Sequence, residues 1–395
     1  MIDILVFLLL GVIAGVVMGL IPGVHPNMII LVVPVLASLN LPVLPLLAFL
    51  VSMGVTNAIV DFIPSILLGA PDAEKELSVL PGHKMLLAGH GYEAVKLAVT
   101  GALGSVIFVA LALPVLFLVV PAAFSFFSPV ITLLLGLIVT VMILTEKGRK
   151  KSYAAAAFLA AGYIGVSMNR LSIENTLLLF PIFSGFFGVS VLLIQMKTRA
   201  RIPKQKRVDI HMSRKTINRS VVFGSIGGVV SGVLPGVGSS EIASLATVDK
   251  NDRSFLMTLG ALTMANTVLS ILSLWLISRP RSGLAVAIDQ LVAIGFGEVL
   301  FIVFVAVFSV GVASLITLKA TKRFLSAAEK IDYSFVSYLV VVFIVFMTLL
   351  FTGPTGLLLL ITCTAVGLIT NYLSIKRGIL MGVLILPTML FYAGF

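Results

Sequence analysis

The sequence predicts an all-α polytopic membrane protein, made of two inverted structural repeats with broken or re-entrant helices at Pro-Gly loops. Three observations carry this expectation. The 395-residue chain is 59% hydrophobic and only 11% charged, and its mean hydropathy of +1.18 is far from that of soluble domains. Its basic residues are gathered into a few short stretches. A glycine-rich stretch ending in Pro-Gly-Val occurs twice.

The helices follow from the apolar runs. Residues 98–120, 128–144, 175–195, 254–278, 295–318, 335–352, 355–372 and 378–395 approach or exceed the roughly 18–20 residues that span a bilayer. Residues 153–168 supply a further helix. The N-terminal stretch opens with Met1-Ile2-Asp3 and lacks a basic leader region, so it does not read as an ordinary signal peptide. Cys363 is the single cysteine, so no disulfide forms within the chain. The four histidines form no HExxH or i, i+4 pair, which argues against a histidine-built metal site.

Charge gives the organisation. Nineteen of the 27 basic residues fall in four clusters: 147–151, 196–219, 319–330 and Lys376-Arg377. Positive loops are retained in the cytoplasm, so the net charge of +11 reads as topology and not as a nucleic-acid surface. The stretch 196–219 carries nine basic residues against Asp209. It is a basic cytoplasmic linker between a first transmembrane repeat (1–195) and a second (220–395), with anionic lipid as a secondary use. The uncharged PAAFSFFSP and FTGPTG are then outer turns, and both termini lie outside.

The repeat is direct. GVIAGVVMGLIPGV (11–24) and GSIGGVVSGVLPGV (224–237) agree at nine of fourteen positions. Asn57 and Asn266 follow, and each is followed fourteen residues later by a proline, Pro71 or Pro280. Nine basic residues precede the second copy and none the first, so the copies point opposite ways, as in many secondary transporters. Proline ends a helix, and broken backbone in hydrocarbon has to line protein or a wet cavity. A half-helix restarting there would offer free N–H groups to an anion or a polar head group. The candidate substrate-binding residues are Pro22, Gly23, His25 and Asn27 in the first copy, and Pro235, Gly236, Gly238, Ser239 and Ser240 in the second. The GxxxG spacings Gly11/Gly15/Gly19 and Gly224/Gly228/Gly232 let a neighbouring helix approach closely.

Ionisable and amide groups inside apolar runs are candidates for function. Asn57 and Asp61 share a helix face, and Asn266 and Ser270 share the matching face. Asp61 and Glu241 are the candidate coupling residues for Na⁺ or H⁺. Glu298 is a weaker candidate. Arg279 and Arg281 are candidates for holding a carboxylate or phosphate bidentately, although basic residues on the outer side run against the usual bias. His83 and His90 are expected to make ordinary loop contacts, and Lys96 to snorkel.

IPGVHPN…VVP, then SILLGAPDAEKELSVLPGHKMLLAGHGYEAVKLAVTGALGS, then GGVVSGVLPGVGSSEIASLA, resemble the large permease subunit of the tripartite tricarboxylate transporters over both halves. The chain looks like a shorter, archaeal-type member, with LPGHKML where the commoner form has Asp-Gly-x-Pro. The resemblance implies ion-driven uptake of an organic anion, with a small membrane subunit and an extracytoplasmic binding protein as partners. The Pro-Gly-Val loops also look like those of a family that returns polyprenyl-phosphate carriers.

The expected function is a cation-coupled permease for a di- or tricarboxylate in the cell membrane, with no cofactor beyond the coupling Na⁺ or H⁺. The alternative is a polyprenyl-phosphate translocase. A membrane-embedded enzyme is not expected, since no metal motif, Ser/His pairing or paired aspartate motif is visible. The candidate partners are a small anion, the lipid bilayer, the two accessory subunits and a second copy of this chain as a homodimer. No nucleic acid is among them.

Overall fold

A computed structural model describes residues 2–21, 29, 33–39, 41–68, 79–173, 175–198, 203–206, 212–233, 242–243, 246–247, 249, 251–328 and 333–394. The helices are α1 (Ile2–Leu20), α2 (Val33–Ser38), α3 (Val43–Val60), α4 (Val79–Leu87), α5 (Gly91–Phe127), α6 (Ile131–Leu144), α7 (Lys150–Met168), α8 (Asn175–Phe183), α9 (Ser190–Thr198), α10 (Arg214–Val233), α11 (Asp252–Leu276), α12 (Gly283–Leu291), α13 (Phe296–Ala328), α14 (Tyr333–Tyr372) and α15 (Gly382–Ala393). Among the described residues, seven helical stretches are long and apolar enough to cross a membrane. Leu111, Leu118, Phe126 and Leu133 are exposed, as lipid-facing side chains should be.

Glycine spacing sets the two central pairs. A Cβ at Gly15 would lie 2.5 Å from the Met53 carbonyl oxygen and 2.7 Å from Thr56 Cβ, and one at Gly19 would lie 2.8 Å from Val60 Cβ. Such distances leave no room for a side chain, so backbone packs directly on backbone. Contacts advance together along both chains, so α1 and α3 run parallel. α10 and α11 repeat the register: Gly224 faces Thr258 and Ala261, Gly228 faces Ala265 and Asn266, and Gly232 faces Leu269. Consecutive helices usually pack antiparallel through a short loop. A parallel pair needs a connection that carries the chain back to its starting end, and a Pro-Gly stop follows the first helix of each pair.

The two pairs run in opposite directions. Beyond α3, the Leu67 side chain reaches Gly91 (3.3 Å from a Cβ there). The Gly91 amide donates to Gln205 Oε1 at 2.9 Å, so α3 ends beside the linker. α11 starts at that same end, where Arg253 binds Glu93. α5 runs parallel to α11, from Glu93–Arg253 to Phe117–Trp275, whose rings are 5.0 Å apart. α13 returns antiparallel, with Phe296 beside Phe117 and Lys322 over Tyr92. Each half thus lays a long helix on the other half's buried helix, α5 on α11 and α13 on α3.

The hydrophobic cores do not follow the halves. One core joins α1, α3, α5, α11 and α13. The others join α6, α7 and α8 with α14 and α15. Phe124 packs against both large cores. The expected FTGPTG turn is present: Gly353 has φ 61°, and Pro354 follows it inside α14. Ile344 and Cys363, on either side of it, both reach residues 185–188, so the two arms of α14 fold back together. PAAFSFFSP differs from expectation. α5 continues through Pro121 to Phe127, and a 3₁₀ segment, Ser128–Val130, carries the chain on into α6 without the expected turn. A proline removes one donor, yet neighbouring helices can carry a kinked helix past it. Two basic clusters meet where the Lys376 amide donates to Glu146 Oε1 and Lys150 Nζ donates to the Ser374 carbonyl.

Alanine in place of Gly15 or Gly228 should overpack its crossing and lower stability by about 1–3 kcal/mol. Gly311, with nothing within 4 Å of a Cβ, should tolerate alanine with a gain of up to about 1 kcal/mol. Thermal melts of the three detergent-solubilised variants check this ordering.

Candidate substrate and ion site

The glycine crossings centre on the two asparagines. A Cβ at Gly15 would lie 3.1 Å from the Asn57 amide nitrogen, and one at Gly19 lies 3.1 Å from its carbonyl oxygen. In the other half, a Cβ at Gly228 would lie 3.0 Å from the Asn266 backbone nitrogen and one at Gly232 would lie 3.6 Å from Asn266 Oδ1. The repeated motif therefore places one asparagine at each helix crossing.

Asp61 follows one turn after Asn57 and donates its amide to the Asn57 carbonyl at 2.9 Å. Its side chain is buried, at 6% exposure, and Ser65 Oγ donates to Asp61 Oδ2 at 3.3 Å. Between them Pro64 opens a π-helical turn, Pro64–Leu68. Proline has no N–H to continue the α ladder, and such turns often mark functional sites. A second π turn, Ser184–Val189, follows Pro181. At the position matching Asp61 stands Ser270, which donates to the Thr267 carbonyl at 2.8 Å. At this helix position the acidic group belongs to the first half. Near the asparagines, the hydroxyls of Thr56 and Thr263 are buried without a hydrogen-bond partner among the described residues.

Pro22, Gly23, His25, Asn27, Pro71, Pro235, Gly236, Gly238, Ser239, Ser240 and Glu241 lie outside the described residues. The helices that feed them, α1 and α10, end at Leu20 and Val233.

Arg279 and Arg281 do not join the asparagines. Asn266 and the end of α11 are separated by about 15 Å of helix rise, and the arginines lie in the loop beyond. Ser278, with φ 51°, turns that loop back. Ser273 Oγ donates to the Arg279 carbonyl at 2.9 Å, and Ser282 Oγ lies 3.3 Å from Ser270 Oγ. Both guanidinium groups stand over the Phe124 ring, at 5.7 Å and 5.1 Å. Burial lowers the Arg281 pKa, against the raising effect of Tyr392.

Sequence reasoning missed the linker end. Glu93 is fully buried, and Arg253 donates to it through Nε (2.6 Å) and Nη2 (3.2 Å). His90 Nδ1 lies 3.1 Å from the same carboxylate, and Lys84 pairs with Asp252 at 2.8 Å. A cavity of about 560 Å³, lined by Lys84, His90, Thr216, Asp249 and Arg253 among others, opens there. The one sequence signal was an acid in the first turn of α5, within GYEAVK, and its partner lies 160 residues away. Glu298 is structural: its Oε2 accepts from the Gly295 amide at 2.9 Å, at the start of α13.

Glu93→Gln should destabilise the protein by about 2 kcal/mol, less than a fully buried pair because Arg253 is partly exposed. Paired removal by Glu93→Gln with Arg253→Met should recover part of that loss, as read by chemical denaturation. Burial lowers the His83 pKa below its ordinary 6.5. The unfolded chain then binds more protons than the folded one just below that value. Stability contributed by neutral His83 is complete above about pH 6.5 and falls as pH drops through the folded pKa. His83→Gln should flatten that acid-side loss in melts run from pH 8 to pH 5.

The family described as "Tripartite tricarboxylate transporter TctA family" matches residues 5–382. The uncharacterised protein MJ1079 of Methanocaldococcus jannaschii is 30% identical over 400 residues, covering 98% of each chain. No solved structure matches. With seven apolar helical stretches and a family match along nearly its whole length, this multi-pass membrane protein belongs to the tripartite tricarboxylate transporter TctA family, a family of membrane transporters.

Proposed function

We propose that the chain is a cation-coupled permease for a small organic di- or tricarboxylate. In this reading its halves are inverted copies, and the substrate binds where their Pro-Gly loops meet. The observation that carries it is the pair of oppositely directed glycine crossings, each closing on an asparagine, with the buried carboxylate of Asp61 one turn beyond the first. An inverted pair of broken helices is a common way to build an alternating-access site. Asn57, Asn266 and the residues after each Pro-Gly supply uncharged donors for the anion. Asp61 carries the Na⁺ or H⁺, and Glu241 assists.

The linker end faces the cytoplasm of a cell-membrane protein and both termini face outward, because basic clusters mark the inner side. A small membrane subunit and an extracytoplasmic binding protein would act as partners on family grounds. The second reading, a translocase for a polyprenyl-phosphate carrier, shares the head-group chemistry but needs a groove open to lipid.

Proteoliposome uptake separates the two. Labelled citrate or succinate should accumulate when an inward Na⁺ or proton gradient is imposed. Asp61→Asn should lose at least tenfold of the gradient-driven rate while keeping exchange. Uptake independent of either gradient, or movement of a labelled polyprenyl phosphate alone, would sink the coupled-permease reading.

A further inference from the structure

We infer that Arg279 and Arg281 form a second carboxylate-binding site, separate from the one at the Pro-Gly loops, at the end of the molecule away from the linker. Two guanidinium groups stand over one phenylalanine ring, and among the described residues neither has an acidic partner. Like charges held together disfavour one another, and an anion beside them relieves that repulsion. The Nε and Nη2 atoms of Arg281 are buried and have no hydrogen-bond partner among the described residues. Buried donors without partners are rare and call for a missing ligand.

The shape of the missing ligand can be read from elsewhere in the chain. Nε and Nη2 are the two parallel donors through which Arg253 holds the flat carboxylate of Glu93. The same two donors of Arg281 have no partner among the described residues, although Tyr392 bonds elsewhere on the group, and a carboxylate matches their planar fork. The loop is already fixed in place. Ser273 holds the Arg279 carbonyl, Ser270 meets Ser282, and Ser282 Oγ accepts from the Ala285 amide to start α12. Tyr392, in the last turn of α15, lies against Arg281 and is the wall that an arriving anion displaces. Phe124 belongs to both cores, so the site lies at the seam between them. It would collect a di- or tricarboxylate before the anion reaches the asparagines.

The chain has one tryptophan, Trp275, which packs on Phe117 at 5.0 Å four residues before Arg279. Its emission is the readout. Citrate and succinate, titrated into the purified full chain at constant ionic strength, should shift it saturably. Chloride, which has no pair of oxygens to meet the fork, should not. Arg281→Lys keeps the charge and loses the fork, and should weaken the response about tenfold. Arg279→Gln with Arg281→Gln should abolish it, with melting curves showing that each variant is folded. A response that does not saturate, is unchanged in Arg281→Lys, or is matched by chloride overturns the proposal, and the wild-type titration decides even where a variant fails to fold. Asp61→Asn should leave the Trp275 response in place. Failure of coupled uptake and failure of this site are therefore separately visible.

Discussion

The close approach of a glycine face to a buried helix, made once in each half, is the constraint on which the rest depends. Inside a bilayer there is no hydrophobic drive to bring helices together, so direct backbone packing does that task. Gly15 and Gly228 allow it, and each crossing closes on the backbone of an asparagine. Because the paired helices run parallel, the connection after each glycine helix has to carry the chain back to the end where that helix began. A hairpin would have needed only a short loop. A Pro-Gly stop in the middle of apolar sequence ends the glycine helix in each copy and is consistent with such a return.

The same constraint couples the halves. α3 and α11 are buried nearly all round, and only a helix from the opposite half completes each covering: α13 for α3 and α5 for α11. Neither half buries its central helix alone. The Glu93–Arg253 pair ties this exchange at the linker end, and the Trp275–Phe117–Phe296 cluster ties it at the other. The second group of helices, built on α14 and α15, meets this arrangement at Phe124 and Phe324 and where Tyr392 lies against Arg281.

Much of this was legible in the sequence. Long apolar runs located most of the helices, because membrane spans need little else, but α5 and α13 extend up to ten residues beyond theirs and α3 was not among the runs. The GxxxG spacing and the fourteen-residue step from Asn57 to Pro71 and from Asn266 to Pro280 marked the two copies, and helical periodicity fixes which of their residues share a face. The π turn after Asp61 was hidden. It depends on how Pro64 is accommodated, and a proline in sequence reads as a plain stop. Glu93–Arg253 was hidden for a different reason: a pair 160 residues apart has no spacing signal. The division into two cores that cut across both halves was equally invisible, since each apolar helix looks alike until its neighbours are known.

The central claim is that two inverted halves bring their Pro-Gly loops together around one site. Cross-linking tests it most directly. Cysteines placed at Val24 and Val237, in a chain carrying Cys363→Ala, should be joined by a short bifunctional maleimide in membranes. Substrate carboxylate should protect them. Two cysteines that never cross-link, and that react with impermeant reagents only from opposite faces of the membrane, would contradict the account.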